Sequence, residues 1–363
     1  HGKAGSPGAT GRRAVRRAVA AALLAVAAVL GWTGWRIYRS NAGVDSGEFA
    51  VWPSPRQGDR ILVFAPHCDD ETLGLGGAIQ RAKAVGAEVR VVFMTNGDGF
   101  PLSATREFAK VRPKPQDYVR LGLVRQNEAV AAVKTLGLRA GDVTFFGYPD
   151  QGLAPMWLRK WAPPGIFVSP RTRRGRSPYL NSYTRGAFYC GENVLADVRR
   201  IVKEFRPTLV LCPHPNDNHP DHWATYAFVT TAINGPVTGT ITRSPVQGLY
   251  IVHRGDWPVP QGYHPGEDLP PPAALTQLDT TWFRVPISPQ EQDVKLRAIR
   301  AYVSQVSVMR RFLLSFVRTN EIIGVRSPGP LAEVPDGGIQ VDGYLDDWGD
   351  APLSVSDPEG DSL

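Results

Sequence analysis

The chain has 363 residues, 42% of them apolar, which is enough for one large domain with a buried core. Its formal charge of +7 invites a nucleic-acid partner, but residues 1–40 hold seven Lys and Arg and no acid, and the remainder carries 34 residues of each sign. The excess belongs to the N-terminus, so no nucleic-acid partner is expected.

Arg12, Arg13, Arg16 and Arg17 precede residues 18–35, which carry no charge and are followed by Arg36 and Tyr38. A run of this length just suffices to cross a hydrocarbon core, and the arginines ahead of it favour an N-in orientation. The expected order is a basic tail over 1–17, a single transmembrane signal anchor over 18–38 and a linker over 39–57. The catalytic body would be extracytoplasmic and membrane-anchored, with a cleaved secretion signal as the second choice.

Residues 61–65 are apolar and β-branched at the start, which predicts a buried strand that Pro66 ends. His67, Cys68, Asp69, Asp70 and Glu71 follow at its carboxyl end, where open α/β sheets place their ligand sites. An imidazole and two adjacent carboxylates offer nitrogen and oxygen donors suited to zinc, although acids complementing a helix N-terminus would use the same residues. A helix is predicted over 73–85, a strand over 88–95, an irregular Pro-containing segment over 101–118, a helix over 120–136 stopped by Gly137, and a strand over 143–148 leading to Asp150. This β-α-β rhythm predicts a Rossmann-like three-layer α/β sandwich with a mostly parallel sheet.

Residues 151–191 break the rhythm with seven Lys and Arg, no acid, and seven aromatic rings. They form either a cationic, aromatic lip over a substrate channel or a surface loop whose rings tuck into the core. A helix over 192–205 and a strand over 207–212 restore the pattern. Residues 213–222 then pack His214, Asp217, His219, Asp221 and His222 directly after that strand. If the two strands are neighbours, His67 and Asp70 meet a histidine from the second loop and complete two imidazoles and one carboxylate, a common open zinc set. Further strands over 247–253 and 281–286, and helices through 288–316, close the domain.

Pro66-His67-Cys68-Asp69-Asp70-Glu71 and His219-Pro220-Asp221-His222 together resemble the paired motifs of the LmbE-like and PIG-L family of zinc-dependent N-acetylglucosaminyl deacetylases. The likeness covers residues 58–325. It implies that His67, Asp70 and His222 bind Zn2+ or another divalent transition metal, that Asp69 is the general base, and that His219 assists the oxyanion or leaving group, with Asp221 orienting its ring. Arg125, in Arg125-Gln126-Asn127-Glu128, and Asp150, in Asp150-Gln151-Gly152-Leu153, are similar to the family's substrate-binding positions. Cys68 stands where the family has proline, which leaves the ligands intact and the loop open to oxidation.

After a linker over 326–338, residues 339–363 are similar to the opening strand and turn of a β-sandwich carbohydrate-binding module, as if truncated; an acidic disordered tail would also suit their composition. The expected activity is metal-dependent hydrolysis of the N-acetyl group of an N-acetylglucosamine-type sugar in an envelope glycan or glycolipid. A non-catalytic, membrane-anchored glycan-binding or scaffold protein that retains the fold is the alternative.

Overall fold

The structure is a computed structural model that describes residues 9–41, 49–234, 244–255, 257–276 and 278–326. The module expected over 339–363 and most of the preceding linker lie outside the described residues. Helix α1 (Ala9–Asn41) comes first. Among the described residues no helix is long and apolar enough to cross a membrane, so the transmembrane anchor expected over 18–38 finds no support there.

The body is a seven-stranded sheet in the order β3-β2-β1-β4-β5-β7-β6, formed by β1 (Arg60–Ala65), β2 (Glu88–Thr95), β3 (Val143–Tyr148), β4 (Leu209–Pro213), β5 (Val246–Tyr250), β6 (Thr280–Pro286) and β7 (Asn320–Arg326). Strands β1 to β5 are parallel, while β7 runs antiparallel to both β5 and β6. Strand β1 shows why the sheet is covered on both faces. Ile61, Val63 and Ala65 enter one core with α2 (Asp70–Ala84), α4 (Pro115–Thr135), α8 (Pro289–Ala301) and α9 (Val303–Leu314), whereas Leu62 and Phe64 enter the other with α5 (Leu153–Leu158), α6 (Gly191–Phe205) and α7 (Pro220–Asn234). A strand apolar on alternate sides in both registers has no face to offer water.

Two sequence expectations change here. Residues 101–118 are not irregular: they hold helix α3 (Pro101–Phe108) and the start of α4. Each begins on a proline in its first turn, where the missing N–H removes no hydrogen bond. Strand β7 lies where the sequence suggested only the end of the domain, and Glu321 on it accepts from Gly77 N, Ala78 N and Lys295 Nζ, which fixes α2 against α8. Val51 pairs with Arg284 of β6, so ordered chain extends ahead of residue 58.

Candidate active site

The strand order turns back at β1. Its successors β2 and β3 lie to one side and β4 to the other, so the loops after β1 and β4 face each other across the crevice where such sheets bind ligands. In the first loop, Asp70 Oδ2 accepts from the backbone N of His67 at 2.8 Å and lies 3.2 Å from His67 Nδ1. From the second loop, His222 Nε2 comes within 3.1 Å of the same Asp70 oxygen and 3.3 Å of His67 Nδ1. The three atoms form a nearly equilateral triangle. Donors about 2.0–2.1 Å from one tetrahedral zinc stand about 3.3 Å apart, so the triangle has the dimensions of one face of such a site.

The hydrogen bonds behind the triangle orient its lone pairs. His222 Nδ1 faces Asp217 Oδ2 at 3.0 Å and is the protonated nitrogen, which leaves Nε2 as the donor to a metal. On the far side of His67, Nε2 faces Asp150 Oδ1 at 3.4 Å and Asp221 Oδ2 at 3.5 Å, close electrostatic contacts that do not have hydrogen-bond geometry. Asp70 Oδ1 is buried without a hydrogen-bond partner. Burial opposes ionisation of Asp70, but His222 and then His67 outweigh it and hold its carboxyl well below the usual range. Burial likewise opposes the charge on Asp217, and His222 takes that carboxyl down to about 2. Burial opposes charge on His67 and His222, but the surrounding carboxylates outweigh it and hold His67 well above the ordinary imidazole value and His222 up at about 9; positive charge is favoured among these atoms, and the donor set fits a divalent metal ion such as zinc.

Asp69 is set apart from this set by its backbone. Its φ of 149° and ψ of −27° are strained for an aspartate. They turn its carboxylate away from the histidines and toward Arg125, whose Nη2 donates to Asp69 Oδ1 at 3.2 Å and to Cys68 O at 2.8 Å while Nη1 donates to Gly97 O at 3.0 Å. Burial pushes the Asp69 carboxyl up to about 7, against the pull of Arg125. Arg125 is thus spent on this loop as well as lining the cavity.

Residues 62–233 match the model of the family described as PIG-L, GlcNAc-PI de-N-acetylase. They are a PIG-L domain. The family is one of hydrolases acting on N-acetyl amide bonds, so the chain is an enzyme of that class. A 1D-myo-inositol 2-acetamido-2-deoxy-alpha-D-glucopyranoside deacetylase from Mycolicibacterium smegmatis is 27% identical over 280 residues, covering 72% of this chain and 86% of its own. A protein of the same description from Rhodococcus jostii is 26% identical over 272 residues, covering 69% and 82%. Among solved structures, N,N'-diacetylchitobiose deacetylase from Pyrococcus horikoshii is 20% identical, with 72% of this chain and 82% of that one covered at a TM-score of 0.42.

Three residues in the PIG-L domain sit differently from their sequence expectations. The Asp221 carboxylate does not orient His219; it accepts from Gln151 N at 2.6 Å and Leu153 N at 3.0 Å. The Asp221 backbone N–H does so instead, donating to His219 Nδ1 at 3.2 Å. With Nδ1 accepting, the neutral ring carries its proton on Nε2, and burial, then the neighbouring His67, takes His219 down to about 4. Cys68 is fully buried and burial pushes its thiol well above the ordinary value, which closes the expected route to oxidation.

The domain's site opens on a cavity of about 160 Å³ lined by His67, Asp69, Asp70, Arg125, Asp150 and His219, with Phe100, Gln305, Met309, Phe312 and Leu313 as its apolar and amide wall. Leu73, Gln151 and His253 complete the lining, and His253 is a residue that the sequence reading passed over. Its ring meets His222 edge-on at 4.8 Å and stacks on Phe312 at 5.5 Å. Its position just past the carboxyl end of β5 was the available signal. None of the rings of the 151–191 segment lines the cavity, so they form no lip over it, although Phe188 and Trp161 are exposed. Tyr179 and Tyr189 are buried, Tyr183 stacks on Phe146, and Trp157 and Trp161 pack on Phe228 of α7, while all seven cations face solvent.

Proposed function

We propose that the chain is a zinc-dependent N-deacetylase that removes the acetyl group from an N-acetylglucosamine-type sugar. The observation that carries this reading is the 3.1–3.3 Å triangle of His67, Asp70 and His222, open to a cavity on whose wall Asp69 and His219 stand. The names of the matched relatives, deacetylases of an acetamido-glucopyranoside, support the choice of amide and sugar.

Zinc held by these three residues supplies Lewis-acid polarisation of the acetyl carbonyl and a water acidified toward neutrality. Asp69 accepts a proton from the attacking water. Its buried position near Arg125 keeps its basicity close to neutral pH, the range that suits a group that takes a proton and then returns it. As the C–N bond breaks, that proton passes to the amine nitrogen, and acetate and a free amino sugar leave. His219 donates its Nε2–H to the developing oxyanion as a neutral imidazole. Arg125 positions Asp69, and Asp150 and Asp221 orient His67.

The cavity of about 160 Å³ is smaller than the roughly 300–1,000 Å³ of typical ligand pockets. It therefore admits the acetamido end while the rest of the substrate stays outside, which supports an N-acetylated amino-sugar glycan or glycolipid. The test joins metal analysis to an acetate-release screen across N-acetylglucosaminyl lipids and oligosaccharides. Stoichiometric zinc is expected, with acetate release lost on chelation and restored by zinc; a chain that neither retains zinc nor releases acetate from any of these overturns the reading.

A further inference from the structure

The segment between α5 and α6 gives no residue to the zinc triangle or to the cavity lining, yet it sends one side chain deep into the site's support. Tyr179, 2% exposed, donates its hydroxyl to Asp98 Oδ2 at 2.6 Å. Asp98 lies in the turn after β2, fully buried, and its other oxygen accepts the backbone N–H of Asp150 at 3.1 Å. The next residue in that turn, Gly99, donates its N–H to Asp150 Oδ2 at 3.0 Å. Asp150 is thereby held at its backbone and at one carboxylate oxygen, while the other oxygen, Oδ1, faces His67 Nε2 at 3.4 Å.

Two glycines clear the path for this series. A Cβ on Gly122, in the middle of α4, would lie 2.2 Å from the Tyr179 hydroxyl, and a Cβ on Gly99 would lie 3.0 Å from the Asp150 side chain. Glycine in a helix interior is unfavourable, and here it admits the tyrosine. Asp98 accepts these two hydrogen bonds with no cation within hydrogen-bonding reach among the described residues. A buried carboxylate on two neutral donors is poor support for folding, but it suits a group that must hold Asp150 in one place.

We infer that Tyr179 is a positioning residue for the metal centre, acting through Asp98 and Asp150 on the ring of His67, so that the segment between α5 and α6 is a buttress of the site. The inference rests on reading His67, Asp70 and His222 as the zinc ligands. Outer partners of ligating histidines, here Asp150, are generally worth 10–100-fold in metal affinity, and Tyr179, two steps further out, falls at the lower end.

The test is zinc affinity by competition with a chromophoric chelator, measured on the full chain, with thermal unfolding of the metal-free chain alongside. Tyr179→Phe removes one hydroxyl and keeps the ring, and is expected to weaken zinc about 10-fold. Gly122→Ala favours the helix while pushing a methyl into that hydroxyl, and is expected to weaken zinc in the same direction. If the parent chain binds zinc and both variants stay within twofold of it, the buttress is overturned whatever the melting temperatures do. A parent chain without zinc affinity overturns the proposed function instead.

Discussion

Asp217 stands 3.0 Å behind His222, on the ring nitrogen turned away from Asp70, and the same carboxylate oxygen accepts the backbone N–H groups of Val252 and His253. One buried side chain therefore selects the tautomer of a metal donor and ties the loop after β4 to the end of β5. Asp217→Asn preserves the volume but offers His222 Nδ1 a neutral partner. Zinc affinity is expected to fall about 10–100-fold, read by chelator competition; an unchanged affinity would remove Asp217 from the centre.

The proposed function gives the sequence neighbours Asp69 and Asp70 separate tasks, and substitution distinguishes them. Asp69→Ala is expected to leave zinc bound and to lower kcat roughly 10²–10⁴-fold, the usual worth of a positioned base. Asp70→Ala is expected to lose the metal itself. Metal content after gel filtration and acetate release together check both; activity retained without Asp69 would contradict its role.

His214 supplies a pH dependence of stability away from the zinc triangle. Its Nδ1 accepts from Asn216 N at 3.1 Å, its Nε2 donates to Thr280 Oγ1 at 2.9 Å, and its ring stacks on Trp282. Burial, and then Arg326, takes the imidazole down to about 4. A histidine whose folded pKa is depressed binds its proton preferentially in the unfolded chain. Its stabilising contribution is thus complete above pH about 6.5 and is lost as pH falls toward 4, at about 1.4 kcal/mol per pH unit within that window. Urea unfolding of the metal-free chain between pH 4 and 7 is expected to show this slope, and His214→Gln to flatten it.

All three cysteines, Cys68, Cys190 and Cys212, are buried and free. Burial pushes the Cys212 thiol up to about 12, and the Cys68 thiol well above its ordinary value. A thiol-specific reagent at neutral pH is expected to label none of them in the native chain and all three in denaturant. Rapid native labelling at Cys68 would mean that the loop carrying His67 and Asp69 opens.

What could be read from the sequence were features that depend on neighbours along the chain. The apolar run over 61–65, the polar loop behind it, the second loop over 213–222 and the alternation of strands with amphipathic helices each follow from local periodicity, and together they carried the Rossmann-like reading and the ligand candidates. Residues 101–118 were misread because a proline in a helix's first turn has the same sequence signature as a proline in a loop. The 320–326 segment escaped because its strand pairs only with β5 and β6, which lie far away in sequence.

The tertiary structure decided everything that needs two distant groups to meet. The adjacency of β1 and β4 brings His67 and Asp70 to His222, and the close of β5 adds His253 to the cavity wall. The strained turn at Asp69 separates its carboxylate from that of Asp70, a backbone N–H replaces the Asp221 carboxylate behind His219, and most rings of the 151–191 segment are taken into the core while Phe188 and Trp161 stay exposed. By itself the sequence determined which chemistry was present, because donor atoms come with residue types. Which donors share a cation, and which hold the others in place, depends on separations of about 3 Å across strands whose order only the packed sheet sets.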